Sequence, residues 1–172
     1  MKRCQACGEK TEKQKPTRPY HYTESGLKNV YIDGIMMFRC PACDAEFPEI
    51  PNVEGLHASI ADALMRKPYT LTGREFRFLR KEMRMRAKDL ATVLGVTPTT
   101  VSRWETGVER VGIANDRLIR SLYILWLLKN RKIVDPSTIL ERVSAHFRTI
   151  SPKPKSVQIR LPANPAEPVL VA

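Results

Sequence analysis

Four cysteines dominate the chemistry this chain can do. They form two pairs of identical spacing, Cys4-Gln5-Ala6-Cys7 and Cys40-Pro41-Ala42-Cys43, with 32 residues between the pairs. A C-x-x-C turn brings two sulfurs to one side of a tight loop, and two such turns supply four thiolates, the ligand number of a closed tetrahedral zinc site. With four protein ligands there is no open position for a reactive water, so the expected ion is structural: one Zn2+ per chain. A rubredoxin-like iron site uses the same four ligands and stays open as an alternative. A thioredoxin-like redox pair would need a single C-x-x-C in a βαβ setting, which is absent. His21 and His57 are surplus to a complete set of sulfurs. No Ser/His/Asp arrangement or Gly-rich phosphate loop occurs, so no enzymatic role is expected.

The second constellation lies at residues 86–107. Leu90, Ala91, Leu94, Val96, Val101 and Trp104 have the spacing of two packed helices. Gly95 stands at the turn between them, where a positive φ is wanted. Thr97 is a good N-cap, Pro98 a good first helical residue and Gly107 a good C-terminal stop. The face left outside is Thr99, Thr100, Ser102 and Arg103. These short hydrogen-bonding groups and one forked donor suit base edges in a DNA major groove. Arg84, Arg86, Lys88 and the N-terminal amides near Thr97 are the expected phosphate contacts.

The charge distribution points the same way. The chain of 172 residues carries a net charge of +11. Residues 1–68 hold 10 Lys/Arg against 9 Asp/Glu, residues 69–131 hold 13 against 6, and residues 132–172 hold 6 against 3. The positive field is therefore centred on the helical segment, where it would draw in a polyanion.

The elements that must position these groups follow from periodicity. Residues 1–50 read as a small β-rich module with short strands at 20–23, 27–33 and 35–39. It has too few large apolar residues to hold together without a staple. Residues 51–73 read as a linking helix and hinge, with Leu56, Ile60 and Leu64 on one face. Residues 74–131 read as the helix-turn-helix and dimerisation domain, opened by the capping box Thr72-Gly73-Arg74-Glu75. Its last helix, from Asn115 to Lys129, is apolar on more than one face. Leu118, Leu122, Leu125 and Trp126 are the excess, and a homodimer contact is expected there. Residues 132–150 read as a further helix capped by Asp135, and the proline-rich 151–172 as a disordered tail. The fold class expected is α+β. No membrane span or signal peptide is visible, so a cytoplasmic protein is expected.

Residues 72–130 resemble the lambda-repressor-like (XRE-type) helix-turn-helix family, through the run Leu90-Ala91, Leu94-Gly95-Val96-Thr97, Val101-Ser102-Arg103-Trp104-Glu105 and Gly107. Together with the two cysteine pairs, residues 1–130 resemble the MqsA/YgiT-type zinc-finger antitoxins. That resemblance implies an autoregulating repressor of a toxin–antitoxin operon. It would dimerise through its carboxy-terminal domain and bind a palindrome in double-stranded DNA. Its zinc-bearing amino-terminal domain would engage a toxin that cleaves mRNA. The family reads bases with an Asn and an Arg, which fall here on Thr99 and Arg103. The family's Thr cap and phosphate-touching Gln fall on Arg86 and Ala87. The other function weighed is a stand-alone zinc-containing XRE-type regulator with no toxin partner.

Overall fold

The computed structural model describes residues 2–130 and 136–165, with the side chains of 136–140 and 142 outside the description. The chain divides into two compact units. The first comprises the described residues of Met1–Ile60 and Gln158–Pro168, the second those of Ala61–Val157.

The first unit holds two three-stranded sheets. One has the order β1 (Glu12–Gln14), β4 (Met37–Arg39), β5 (Glu46–Pro48), antiparallel throughout. The other has the order β2 (Tyr20–His21), β3 (Val30–Asp33), β6 (Ile159–Pro162). Strand β3 alternates buried Val30 and Ile32 with half-buried Tyr31 and Asp33, as a one-faced strand must. Leu27, Ile35, Phe38 and Leu56 are also buried here. The strand expected over 20–23 ends at His21, and Thr23–Ser25 form a 3-10 turn closed by Gly26 in the left-handed region at φ 79°.

Strand β6 overturns part of the sequence reading. The proline-rich stretch from 151 was expected to be disordered, yet residues 159–162 pair in parallel with 30–33. Ile159 is buried, its N–H donates to Asn29 O at 2.8 Å, and Arg160 forms a two-pronged pair with Asp33 at 2.6 and 3.0 Å. The ion pair holds the Asp33 carboxyl below the usual range, through the Arg160 hydrogen bond. Five prolines made the segment look unstructured, but none falls inside the hydrogen-bonded run before Pro162. In the second unit Ser151 exchanges backbone bonds with Pro68 and Thr70 at 2.9 and 3.0 Å. Residues 166–172 and the expected cap Asp135 lie outside the described residues.

The second unit is helical. α1 (Val53–Met65) enters it, followed by α2 (Gly73–Glu82), α3 (Ala87–Leu94), α4 (Pro98–Thr106), α5 (Ile113–Asn130) and α6 (Pro136–Thr149). Thr72 caps α2 and Glu75 answers it, the reciprocal capping box. The core is built from Phe76, Leu79, Leu90, Ala91, Val101, Ile119, Tyr123 and Leu127, all buried. Charged residues share it: Asp116 and Arg120 are fully buried on α5, and Lys67 and Glu75 form a second buried pair. Arg120 donates to the carbonyls of Leu64, Met65 and Tyr69 at 2.7–2.9 Å and to Asp116 at 3.0 Å. It thereby satisfies the orphan carbonyls at the end of α1. No helix among the described residues is long and apolar enough to cross a membrane.

Candidate metal centre and nucleic-acid interface

In the first unit the two cysteine turns are built alike. Gly8 N–H donates to Cys4 O at 3.0 Å, and Asp44 N–H to Cys40 O at 2.9 Å. Cys4 N–H donates to Glu9 O at 2.8 Å, and Cys40 N–H to Ala45 O at 3.0 Å. Each turn closes through a positive φ at the same place, 81° at Gly8 and 56° at Asp44. Glycine takes that conformation without penalty; Asp is among the few side chains that tolerate it. Arg39 holds the Asp44 carboxylate at 2.8 Å.

The turns bring together the four sulfurs predicted from spacing. All lie within 4.8 Å of one another, with Cys4–Cys43 at 3.5 Å and Cys7–Cys40 at 3.4 Å. A tetrahedron with zinc–sulfur bonds of about 2.3 Å has edges of about 3.8 Å, so the donor set fits such an ion. No cysteine is in a disulfide. The electrostatics also call for a cation. The Cys7 and Ala6 amides bring the Cys4 thiol down to about 6. At Cys7 the Glu9 amide acts in the same direction, but the sulfurs of Cys40 and Cys43, with burial, push the thiol up to about 12. Four neighbouring thiols cannot all ionise unless a cation compensates them. Cys4 and Cys40 face inward, Cys7 and Cys43 outward. The two histidines are occupied elsewhere: His21 bonds Lys28 O, and His57 bonds the Tyr22 hydroxyl, each at 2.9 Å.

In the second unit, α3, a turn and α4 form the helix pair. Gly95 closes α3 at φ 68°, with Val96 N–H returning to Ala91 O at 3.0 Å. Thr97 Oγ1 accepts from Thr100 N–H at 3.1 Å, Pro98 opens α4, and Gly107 ends it at φ 81°. Val101 and Trp104 turn inward, while Thr99, Ser102 and Arg103 are exposed and Thr100 is half-buried. Phe76 meets Trp104 edge to face with centroids 5.7 Å apart.

Two supports of this helix pair were invisible in the sequence reading. Arg80, on the inward face of α2, donates to both oxygens of Glu105 at 2.6 and 2.9 Å and to Met85 O at 2.7 Å. One side chain thus ties α2 to α4 and to the loop before α3. The available signal was a cation among Phe76, Leu79 and Met83, which must find a partner if buried. The other is Gly73, where any Cβ would overlap the Trp104 carbonyl oxygen.

Among the expected phosphate contacts, Arg84 and Lys88 are exposed. Arg86 is the N-cap of α3 without a side-chain cap bond, and its guanidinium grips Asp89 at 2.7 and 3.0 Å. Arg84 adopts φ 56° in the loop after α2. Its N–H bonds Lys81 O, and Met85 N–H bonds Arg80 O, a Schellman ending with arginine where glycine is usual. On α5, Leu118 and Leu125 are 39% and 60% exposed, with Leu122 and Trp126 half-buried beside them.

The family model described as Helix-turn-helix matches residues 76–118. This segment is a DNA-binding helix-turn-helix of the XRE type. The match runs from α2 into the first turns of α5 and so takes in Arg80, Arg84, Arg103 and Glu105. No curated protein and no solved structure matches the chain. The chain, α+β as a whole, therefore joins a small amino-terminal β-sheet module bearing a four-cysteine cluster to a helical DNA-binding regulator domain.

Proposed function

We propose that this protein is a cytoplasmic transcriptional repressor that acts as a homodimer on a palindromic operator. We further propose that it is the antitoxin of a type II toxin–antitoxin pair, with one structural Zn2+ in each chain. The observation that carries the DNA reading is α4. Its inner residues are buried, and its outer face is Thr99, Ser102 and Arg103 over a basic segment. In this reading Thr99, Thr100, Ser102 and Arg103 address base edges, and Arg84, Arg86, Lys88 and the Thr97 amide address phosphates.

The homodimer is supported by the apolar flank of α5. Two exposed leucines, with Leu122 and Trp126 beside them, would be sequestered by a second copy, which would set two α4 helices roughly 34 Å apart. Zinc is the reading that best fits four sulfurs at tetrahedral spacing. The bound ion would supply a fixed cross-link between the two cysteine turns. The antitoxin assignment rests on the resemblance of the two-part arrangement to zinc-finger antitoxins. The stand-alone regulator has one observation in its favour: β6 already covers an edge of β3 in the zinc module.

The test is a gel shift on the protein's own promoter, with Arg103→Ala as the control. The variant is expected to lose specific binding while keeping its zinc and its fold, and unchanged affinity would remove Arg103 from the interface. Co-expression with the product of the adjacent reading frame separates the two readings. Relief of growth arrest supports the antitoxin; a harmless neighbour that does not bind supports the stand-alone regulator.

A further inference from the structure

We infer that Glu109 is a positioning residue for base readout: it holds the Arg103 guanidinium in place and restrains binding to unrelated DNA. The inference rests on the proposed role of Arg103 in reading a base. Glu109 is attached to Arg103 twice. Its backbone N–H donates to Arg103 O at 3.1 Å, and its Oε1 lies 3.0 Å from Arg103 Nη1. Gly107 makes this return possible by reversing the chain at φ 81° with its N–H on Trp104 O. Thr106 closes the same turn by donating from Oγ1 to Ser102 O at 2.9 Å. The loop after α4 is thus folded back onto the one long side chain of its outer face.

The pair lies in solvent, with the two side chains 53% and 41% exposed. An ion pair so exposed adds little to stability. Its chemistry is of more consequence. A guanidinium has five N–H donors in a rigid fork. Glu109 occupies Nη1, which leaves the Nε and Nη2 side free as a parallel pair of donors. That pair matches O6 and N7 of a guanine. A long arginine fixed before DNA arrives loses less rotamer freedom on binding. The same carboxylate faces the polyanion and repels it wherever Arg103 finds no guanine to compensate. Selectivity would thus come from a repulsive group as well as an attractive one.

The probe is a pool of duplexes with a randomised centre, enriched separately by the full-length protein, by Glu109→Gln and by Arg103→Ala. Sonicated bulk duplex DNA measures non-specific affinity. Glu109→Gln should retain the wild-type motif but weaken the preference at one base pair of each half-site by about fivefold. That position should be the one Arg103→Ala abolishes. Affinity for bulk DNA should rise a few-fold, and thermal melting should not move. An unaltered preference at that position, with bulk affinity unchanged, would overturn the inference and leave the DNA reading intact. A wild-type protein that enriches no motif and binds duplex without salt sensitivity would overturn the reading itself. If Glu109→Gln shifts the melt, Glu109→Asp carries the same comparison, because it keeps the charge and shortens the reach. Full wild-type preference at that position in Glu109→Asp would equally contradict the positioning role.

Discussion

The four-cysteine module and the helical unit reach order by different means. The module has strands of two to four residues and two cysteine turns whose backbone bonds converge on four sulfurs. The helical unit is built instead on packed helices. Its helices bury a shared apolar face, and its interior charges pair with one another: Arg80 with Glu105, Arg120 with Asp116 and Lys67 with Glu75. In the module a side chain therefore matters if it is one of the four cysteines, closes a turn or belongs to the small core around Val30, Ile32, Ile35 and Phe38, whereas in the helical unit a single buried charge can be decisive. Four perturbations, in descending order of effect, set the two regions against each other.

The largest effect should come from the sulfurs. Structural zinc in small modules contributes on the order of 10 kcal/mol to folding. Cys40→Ser in the full chain, or chelation of the wild type, should abolish amide protection in the strands at 12–14, 37–39 and 46–48. Protection in α2 to α5 should persist. Hydrogen exchange resolved by residue checks this, and native protection in the strands of a metal-free variant would contradict the stapling argument.

Next is the interior ion pair. Glu105→Ala leaves Arg80 buried with one of its three bonds, the one to Met85 O, at a cost of about 3–5 kcal/mol. Denaturant unfolding followed by helical circular dichroism should show that loss, with metal content unchanged. A loss below 1 kcal/mol would mean that Arg80 escapes to water.

Much of this division was legible in the residues. Cys-x-x-Cys twice, with Gly8 after the first pair, specified the four-sulfur cluster because ligand number and spacing are local. Gly95, Thr97-Pro98 and Gly107 specified the helix pair for the same reason. What escaped was non-local. Glu12-Lys13-Gln14 is entirely polar and exposed, so β1 has no alternation to reveal it. Strand β6 is defined only by β3, some 130 positions earlier by the register Val30↔Ile159. Arg80, Asp116 and Arg120 look like surface charges until their partners are known.

The third perturbation follows from that hidden strand. Ending the chain after Val157 removes β6 and the burial of Ile159, worth about 2 kcal/mol. The amides of Val30–Asp33 should exchange faster and those of α4 should not. Unchanged protection on β3 would show that the parallel pairing adds nothing.

The smallest effect changes sign between stability and function. Arg84→Gly relieves a left-handed arginine and should stabilise the helical unit by about 0.5–1 kcal/mol. It should also weaken DNA binding and flatten the salt slope by about one counterion. A stabilised protein with undiminished affinity would remove Arg84 from the phosphate contacts.

The most direct test of the central claim is fluorescence anisotropy of a labelled promoter duplex against protein at several salt concentrations. Log affinity should fall linearly with log salt, by about 0.9 for each phosphate neutralised. At every salt concentration the promoter should outcompete scrambled duplex. Affinity that ignores salt, or that is equal for promoter and scrambled sequence, would contradict an α4 that reads DNA.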